Sequence, residues 1–310
     1  MQVYGQLILA MLFYGVSFVS TKIVLGAYGP VTVLAVRLIL SSVFLIVLDR
    51  LIPVRASSRG PAARGVPTAR ARVSRKWPSR SDLPSILLLT LFQPLLYFLA
   101  ENFGLRHVSA SIASIIIATI PVFTPFVAGP FLGERIGPWG VVGLGVSLGG
   151  VAIIVFERQL EAQFTPVGLA LVFLAVFAAV GYSVAVRKAP MQYRPLTLVK
   201  LQSVIGMPIV LVLALVTEGI PRTLPSVEVA LHLAYLGILP SSVAFIFFST
   251  GIRALGASRA NVFTNLVPGF TAVFAWLLIG ESFTPQKVLG MAVVVTGVFV
   301  AQRGRRHHLR

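Results

Sequence analysis

Residues 104–150 come back at 251–297, displaced by 147 positions without a gap. Arg106 falls on Arg253, Ser111 on Ser258, Pro121 on Pro268 and Thr124 on Thr271. The Gly133-Glu134 pair falls on Gly280-Glu281, Pro138 on Pro285 and Gly143 on Gly290. A fixed shift of this kind marks one unit built twice. The preceding segments repeat more weakly. Tyr28-x-Pro30-x-Thr32 matches Tyr193-x-Pro195-x-Thr197, and Gly15-x-Ser17 with Lys22 matches Gly181-x-Ser183 with Lys188.

Each unit is made of apolar runs. The chain of 310 residues is 56% hydrophobic and only 11% charged, against roughly 25% charged in soluble domains. Its mean hydropathy is +0.91. Runs near 20 residues match a bilayer core about 30 Å thick, and helices satisfy their own backbone in lipid. Ten spans are expected, at 3–24, 31–49, 83–104, 109–132, 138–156, 166–186, 195–217, 229–250, 258–279 and 286–302. The fold class is thus an all-α membrane protein of two five-helix repeats, 1–156 and 157–303, followed by a basic tail at 304–310. Because five is odd, the second repeat enters the membrane from the opposite side.

Net charge of +17 raises nucleic acid as a partner, but the basic residues stand between apolar spans, where they set orientation. Nineteen Lys and Arg fall on the side holding both ends and five on the other; Arg37 and Lys200 inside spans complete the 26. Both termini are therefore expected in the cytoplasm. The first apolar run starts without a basic leader region and reads as a membrane helix, not a signal peptide. The segment 54–81, rich in Arg, Pro, Ser and Ala, has no apolar periodicity and reads as a flexible positive-inside loop. Contact with anionic headgroups is the sharper alternative.

Inverted repeats recur in secondary transporters, whose two halves exchange conformations around a midplane site. A channel or receptor for small metabolites is the second reading, and a membrane enzyme the third. No Cys is present, which excludes thiol chemistry and Cys-based zinc sites. The His residues are scattered, at 107, 232, 307 and 308, and no phosphate-binding Gly-x-x-x-x-Gly-Lys loop occurs. No enzyme activity, cofactor or metal is expected. Gly143-Leu-Gly145-Val-Ser-Leu-Gly149 looks superficially like a dinucleotide loop. Within a span, Gly145 and Gly149 read instead as a small-residue packing face, used within a monomer or in a homodimer.

The run Glu101-Asn102-Phe-Gly104-Leu-Arg106, with Ser109-Ala-Ser111, Ile117-Ala-Thr119-Ile-Pro121-Val-Phe-Thr124 and Gly133-Glu134-Arg135, resembles the EamA-type transporters of the drug/metabolite transporter superfamily. Ala257-Ser258, Asn265-Leu-Val-Pro268 and Gly280-Glu281 are similar to that family's second repeat. The long Arg/Pro loop departs from the usual pattern. The resemblance implies a bacterial inner-membrane carrier, often an exporter of amino acids or other small metabolites. It also implies that spans five and ten pack outside the main cavity.

Charged groups within spans are functional candidates by default. Arg37 and Glu101 both fall in the outer third of their helices, where they pair as a charged lip binding a carboxylate or ammonium, or relaying a proton. The alternative is that each snorkels to the interface. Lys200 is expected to snorkel. Among neutral groups, Gln93, Tyr97 and Glu101 make a polar stripe at i, i+4 spacing on span three. Tyr14 and Ser17, Ser114 and Thr119, Tyr182 and Ser183, and Asn261 and Asn265 add cavity candidates, each weighed against an ordinary interhelical hydrogen bond. Pro121 and Pro268 are expected as hinges, with further breaks at Pro94 and Pro240, because an internal Pro removes a helix hydrogen bond. The expected function is export of a small organic metabolite, amino acids favoured.

Overall fold

The computed structural model describes residues 2–52, 78–133, 137–155, 165–190, 193–221, 223–281 and 284–303. The bulk of the Arg/Pro loop, Glu134, Arg135 and the basic tail lie outside them. Among the described residues every regular element is helical. Eight helices are long and apolar enough to cross a membrane. They are α1 (Gln2–Leu25), α2 (Pro30–Leu51), α3 (Leu83–Leu105), α4 (Ala110–Leu132), α6 (Pro166–Lys188), α7 (Pro195–Thr217), α8 (Val227–Leu255) and α9 (Ala257–Ile279). Two further helices complete the set, α5 (Pro138–Val155) and α10 (Pro285–Arg303). All lie within a few residues of the expected spans.

Local chemistry sets the ends. Pro occupies the first turn of α2, α6 and α7, where its missing N–H removes no helix bond. Ser109, Thr165 and Ser226 cap α4, α6 and α8 by accepting from Ile112 N, Gly168 N and Val229 N. At the start of α2 the cap comes from another helix: the Glu218 carboxylate accepts from Val31 N at 3.0 Å and Thr32 N at 2.8 Å. Gly133 and Gly280, matched in the repeat, end α4 and α9 in the left-handed conformation at φ 66° and 67°. A Cβ disfavours that conformation, which explains the glycine in both copies.

Polarity is inside out relative to a water-soluble protein. Val43, Phe126, Val212 and Trp276 are exposed, while Ser41, Asn102, Ser114, Thr124 and Thr271 are buried. Such a surface suits lipid.

Four helices are broken near their centres. In α3 a widened turn at Leu91–Leu96 carries Gln93 in an extended conformation before a cis bond to Pro94. In α8 a similar turn covers Leu239–Ala244. Pro240 cannot donate to Leu236 O, and the Ser241 hydroxyl donates there instead at 2.6 Å, while Ser242 donates to Gly237 O at 3.0 Å. α4 divides at Ala118–Thr119 and α9 passes through a tighter turn at Val262–Leu266. Pro121 and Pro268 stand in the first turn of the resumed helix, where a proline fits without a kink of its own. The breaks precede them.

The helix partners are specific. α1 packs along the whole of α8 and on the second half of α9, and α6 packs chiefly on the second halves of α3 and α4. α2 packs on α7, and α5 on α10. The α5–α10 contact is tight, with Gly150 against Gly290 O and Val294, and Gly297 against Ser147 and Gly143 O. Gly143, Ser147 and Gly150 are buried there, whereas Gly145 and Gly149 face open space. The expected small-residue face is thus rotated from the one the fold uses.

Candidate substrate cavity

The broken helices surround a narrow cavity that leaves ≈ 30 Å³ for the centre of a water-sized sphere. Tyr14 of α1, Gln93 and Tyr97 of α3, Phe245 of α8, and Asn261 and Thr264 of α9 line it, with apolar contributions from α4 and α6. Ligand pockets commonly combine apolar walls with a few polar groups. Both halves of the chain contribute. Phe245 is the hub of the aromatic wall, with Tyr14, Phe98 and Tyr182 edge-on to it at 5.7, 5.7 and 5.8 Å.

Of the expected cavity residues, Tyr14, Gln93, Tyr97 and Asn261 line this space. Gln93, Tyr97 and Glu101 are 5%, 9% and 1% exposed, so the row on α3 faces inward. Gln93 gets there through the break, because extended backbone does not keep helical spacing. Glu101 lies beyond the cavity wall, interacting with the Tyr97 side chain. Its Oε2 atom is buried without a hydrogen-bond partner, as are Tyr14 Oη, Gln93 Oε1 and Asn265 Oδ1. Asn261 donates to Thr124 Oγ1 at 2.8 Å and to Ser183 Oγ at 3.0 Å, tying α9 to α4 and α6. The tighter turn after Asn261 takes Asn265 off its helical face.

The remaining candidates have partners of their own, local ones for Ser17, Ser114 and Thr119 and one on another helix for Tyr182. Ser17 donates to Tyr14 O at 2.7 Å and Thr119 to Ile116 O at 2.6 Å. Ser114 donates to Ser111 O at 2.8 Å. Tyr182 pairs with the Ser249 hydroxyl at 3.1 Å.

Arg37 is 0% exposed and does not snorkel. Its Nε donates to Ser241 Oγ at 3.2 Å, its guanidinium lies 4.0 Å from the centre of the Phe98 ring, and Nη1 and Nη2 make no hydrogen bond. Glu101 acts on it through its charge, but neither terminal nitrogen is hydrogen-bonded to it. Lys200 Nζ lies 2.7 Å from Asp49 Oδ2, an ion pair between the start of α7 and the end of α2.

At one end of the bundle, contacts form within the first half and across the two halves. Lys22 donates to Leu105 O at 2.6 Å and Val108 O at 2.9 Å. Ser111 donates to Glu281, half of the repeated Gly-Glu pair. Sequence reasoning missed Phe245 and Thr264; the Pro240 break preceding Phe245 was the signal for the first.

The EamA-like transporter family model matches residues 3–156 and 166–302. The transporter YdfC of Bacillus subtilis, called uncharacterized, is 28% identical over 221 residues, covering 71% of this chain and 72% of its own. A protein of Streptantibioticus cattleyicolor named "Probable terminal-alkyne amino-acid exporter" is 29% identical over 304 residues, covering 97% and 94%. A crystal structure at 18% identity superposes with a TM-score of 0.69, covering 97% of this chain and 96% of the other. That likeness concerns the fold alone.

Proposed function

The chain belongs to the EamA-like transporter family, and from that premise we propose that it exports small organic metabolites, amino acids favoured, by alternating access. The observation that carries the proposal is the cavity lined from both halves, with Tyr14, Gln93 and Tyr97 facing Phe245 and Asn261. The two five-helix units, 1–156 and 157–303, are inverted copies spanning the membrane ten times. Helix partners support this: exchanging the copies turns the α1 contacts on α8 and α9 into those of α6 on α3 and α4. The α2–α7 and α5–α10 pairs map onto themselves. A pseudo-twofold axis in the membrane plane produces that pattern and lets the halves trade shapes.

Amino acids are favoured because the lining joins phenol and amide groups to aromatic walls, which suits a zwitterion with an apolar side chain. The name of the Streptantibioticus relative points the same way. The protein is placed in the bacterial inner membrane with both termini cytoplasmic, on the distribution of its basic residues.

The test is counterflow. Purified protein in liposomes loaded with unlabelled amino acid should accumulate the labelled one transiently and saturably. Flux without counterflow would replace the carrier by a channel. Counterflow with other metabolites alone would remove amino acids.

A further inference from the structure

Close contacts sort six of the helices into two groups. In one, α1 is joined to α8 by Tyr235 Oη donating to Phe13 O at 2.9 Å, and to α9 by Thr271 Oγ1 donating to Gly15 O at 3.1 Å. In the other, α6 is joined to the α3–α4 link by Thr165 N donating to His107 O at 3.2 Å, and to α4 by the Phe123 and Phe177 rings, 5.1 Å apart. Each group takes helices from both repeats. We propose that Lys22 and Arg187 are the gate residues between these groups. Each closes one end of the cavity by capping the C-terminal carbonyls of a helix in the other group, and each lets go in turn. This rests on the alternating-access reading above and names residues that control it.

At the end of α1 away from Gln2, Lys22 donates to Leu105 O at 2.6 Å and Val108 O at 2.9 Å, where α3 ends. At the opposite end of the bundle, Arg187 of α6 donates through Nη1 to Arg253 O at 2.7 Å, in the last turn of α8. The repeat makes these one arrangement used twice. Arg253 is the match of Arg106, which follows Leu105, and Arg187 precedes Lys188, the match of Lys22. Exchanging the copies carries one cap onto the other to within a residue. A further polar link between the groups stands near each cap. Ser111 of α4 donates to Glu281 beyond α9 at the Lys22 end. Toward the Arg187 end, Asn261 of α9 donates to Thr124 of α4 and Ser183 of α6.

The last carbonyls of a helix lack partners within it and carry partial negative charge. A basic side chain caps them without burying a counter-anion. Release costs little, because a long basic side chain at a helix end reaches interfacial water by itself. A latch of this kind can open and close in every cycle. The α2–α7 pair is held differently. Lys200 meets the full charge of Asp49 at one end, and the Glu218 carboxylate takes Val31 N and Thr32 N at the other. Those locks stay fixed while the caps alternate.

Accessibility of single thiols tests the gates. The chain has no Cys, so Ser111→Cys at one end and the matched Ser258→Cys at the other each introduce a lone thiol, at positions 2% and 4% exposed. A membrane-impermeant maleimide is applied to right-side-out and inverted vesicles holding the full-length protein. On the orientation proposed above, the Lys22 end is the outer one. Lys22→Met should speed labelling of the Ser111→Cys thiol at least threefold from the outer face, without speeding that of the Ser258→Cys thiol. Arg187→Met should do the reverse from the inner face. Lys22→Arg, which keeps the charge and the donors, should restore slow labelling. Should Lys22→Met fail to fold, the exposed Arg187 provides an independent arm. Unchanged labelling, or equal acceleration of both thiols in one variant, would overturn the gates; amino-acid counterflow by the unaltered protein would then still support transport. Opposite shifts of the two thiols, without counterflow of any metabolite, would uphold the gates and remove the transport reading.

Discussion

A charge inside this bundle is held by a particular neighbour, and the neighbour decides what its removal does. Lys200 and Asp49 are 21% and 12% exposed and 2.7 Å apart. Lys200→Met removes this ion pair; destabilisation of about 1–3 kcal/mol is expected, since breaking a fully buried pair costs roughly 3–5 kcal/mol. The double variant with Asp49→Asn should recover most of the loss, as measured by thermal unfolding in detergent. Equal midpoints for single and double variants would show that the pair is not coupled. Arg37, by contrast, was legible as a costly charge, but Ser241, 204 residues away, was not. A serine in an apolar run carries no mark of which way it faces. Tyr97 was readable because it shares a helical face with Glu101, whereas Gln93 joins them only through the break.

At the level of the helix, close approach follows shape. α5 and α10 cross on Gly143, Ser147 and Gly150 against Gly290, Val294 and Gly297, with the Ser147 hydroxyl donating to Val294 O at 3.2 Å. Gly150→Leu should destabilise by about 1–3 kcal/mol through overpacking. Gly149→Leu, which meets open space, should leave the unfolding midpoint unchanged. If both behave alike, the crossing is assigned wrongly. The mismatch with Gly145 and Gly149 arises because nearly every α5 position is apolar or small, so spacing offers several equivalent faces. Pro121 and Pro268 follow the breaks in α4 and α9. As hinges, they predict that alanine at either position slows counterflow severalfold while the concentration for half-saturation holds. Unchanged rates would make the prolines static shape only.

For the molecule as a whole, the prediction is orientation. Reporter fusions at either end should be active only in the cytoplasm; activity outside the cell would reverse the assignment drawn from nineteen basic residues against five. The sequence by itself determined the helical class, the positions of the spans and the doubling. Lipid forces every backbone group to be satisfied within its own segment, so apolar length alone specifies a helix. Only tertiary structure decided how each helix is rotated, which polar atoms meet, and that Gln93 enters the cavity through a break. Helices apolar on all sides carry little amphipathic bias, so their facing is settled by packing between residues far apart in the chain.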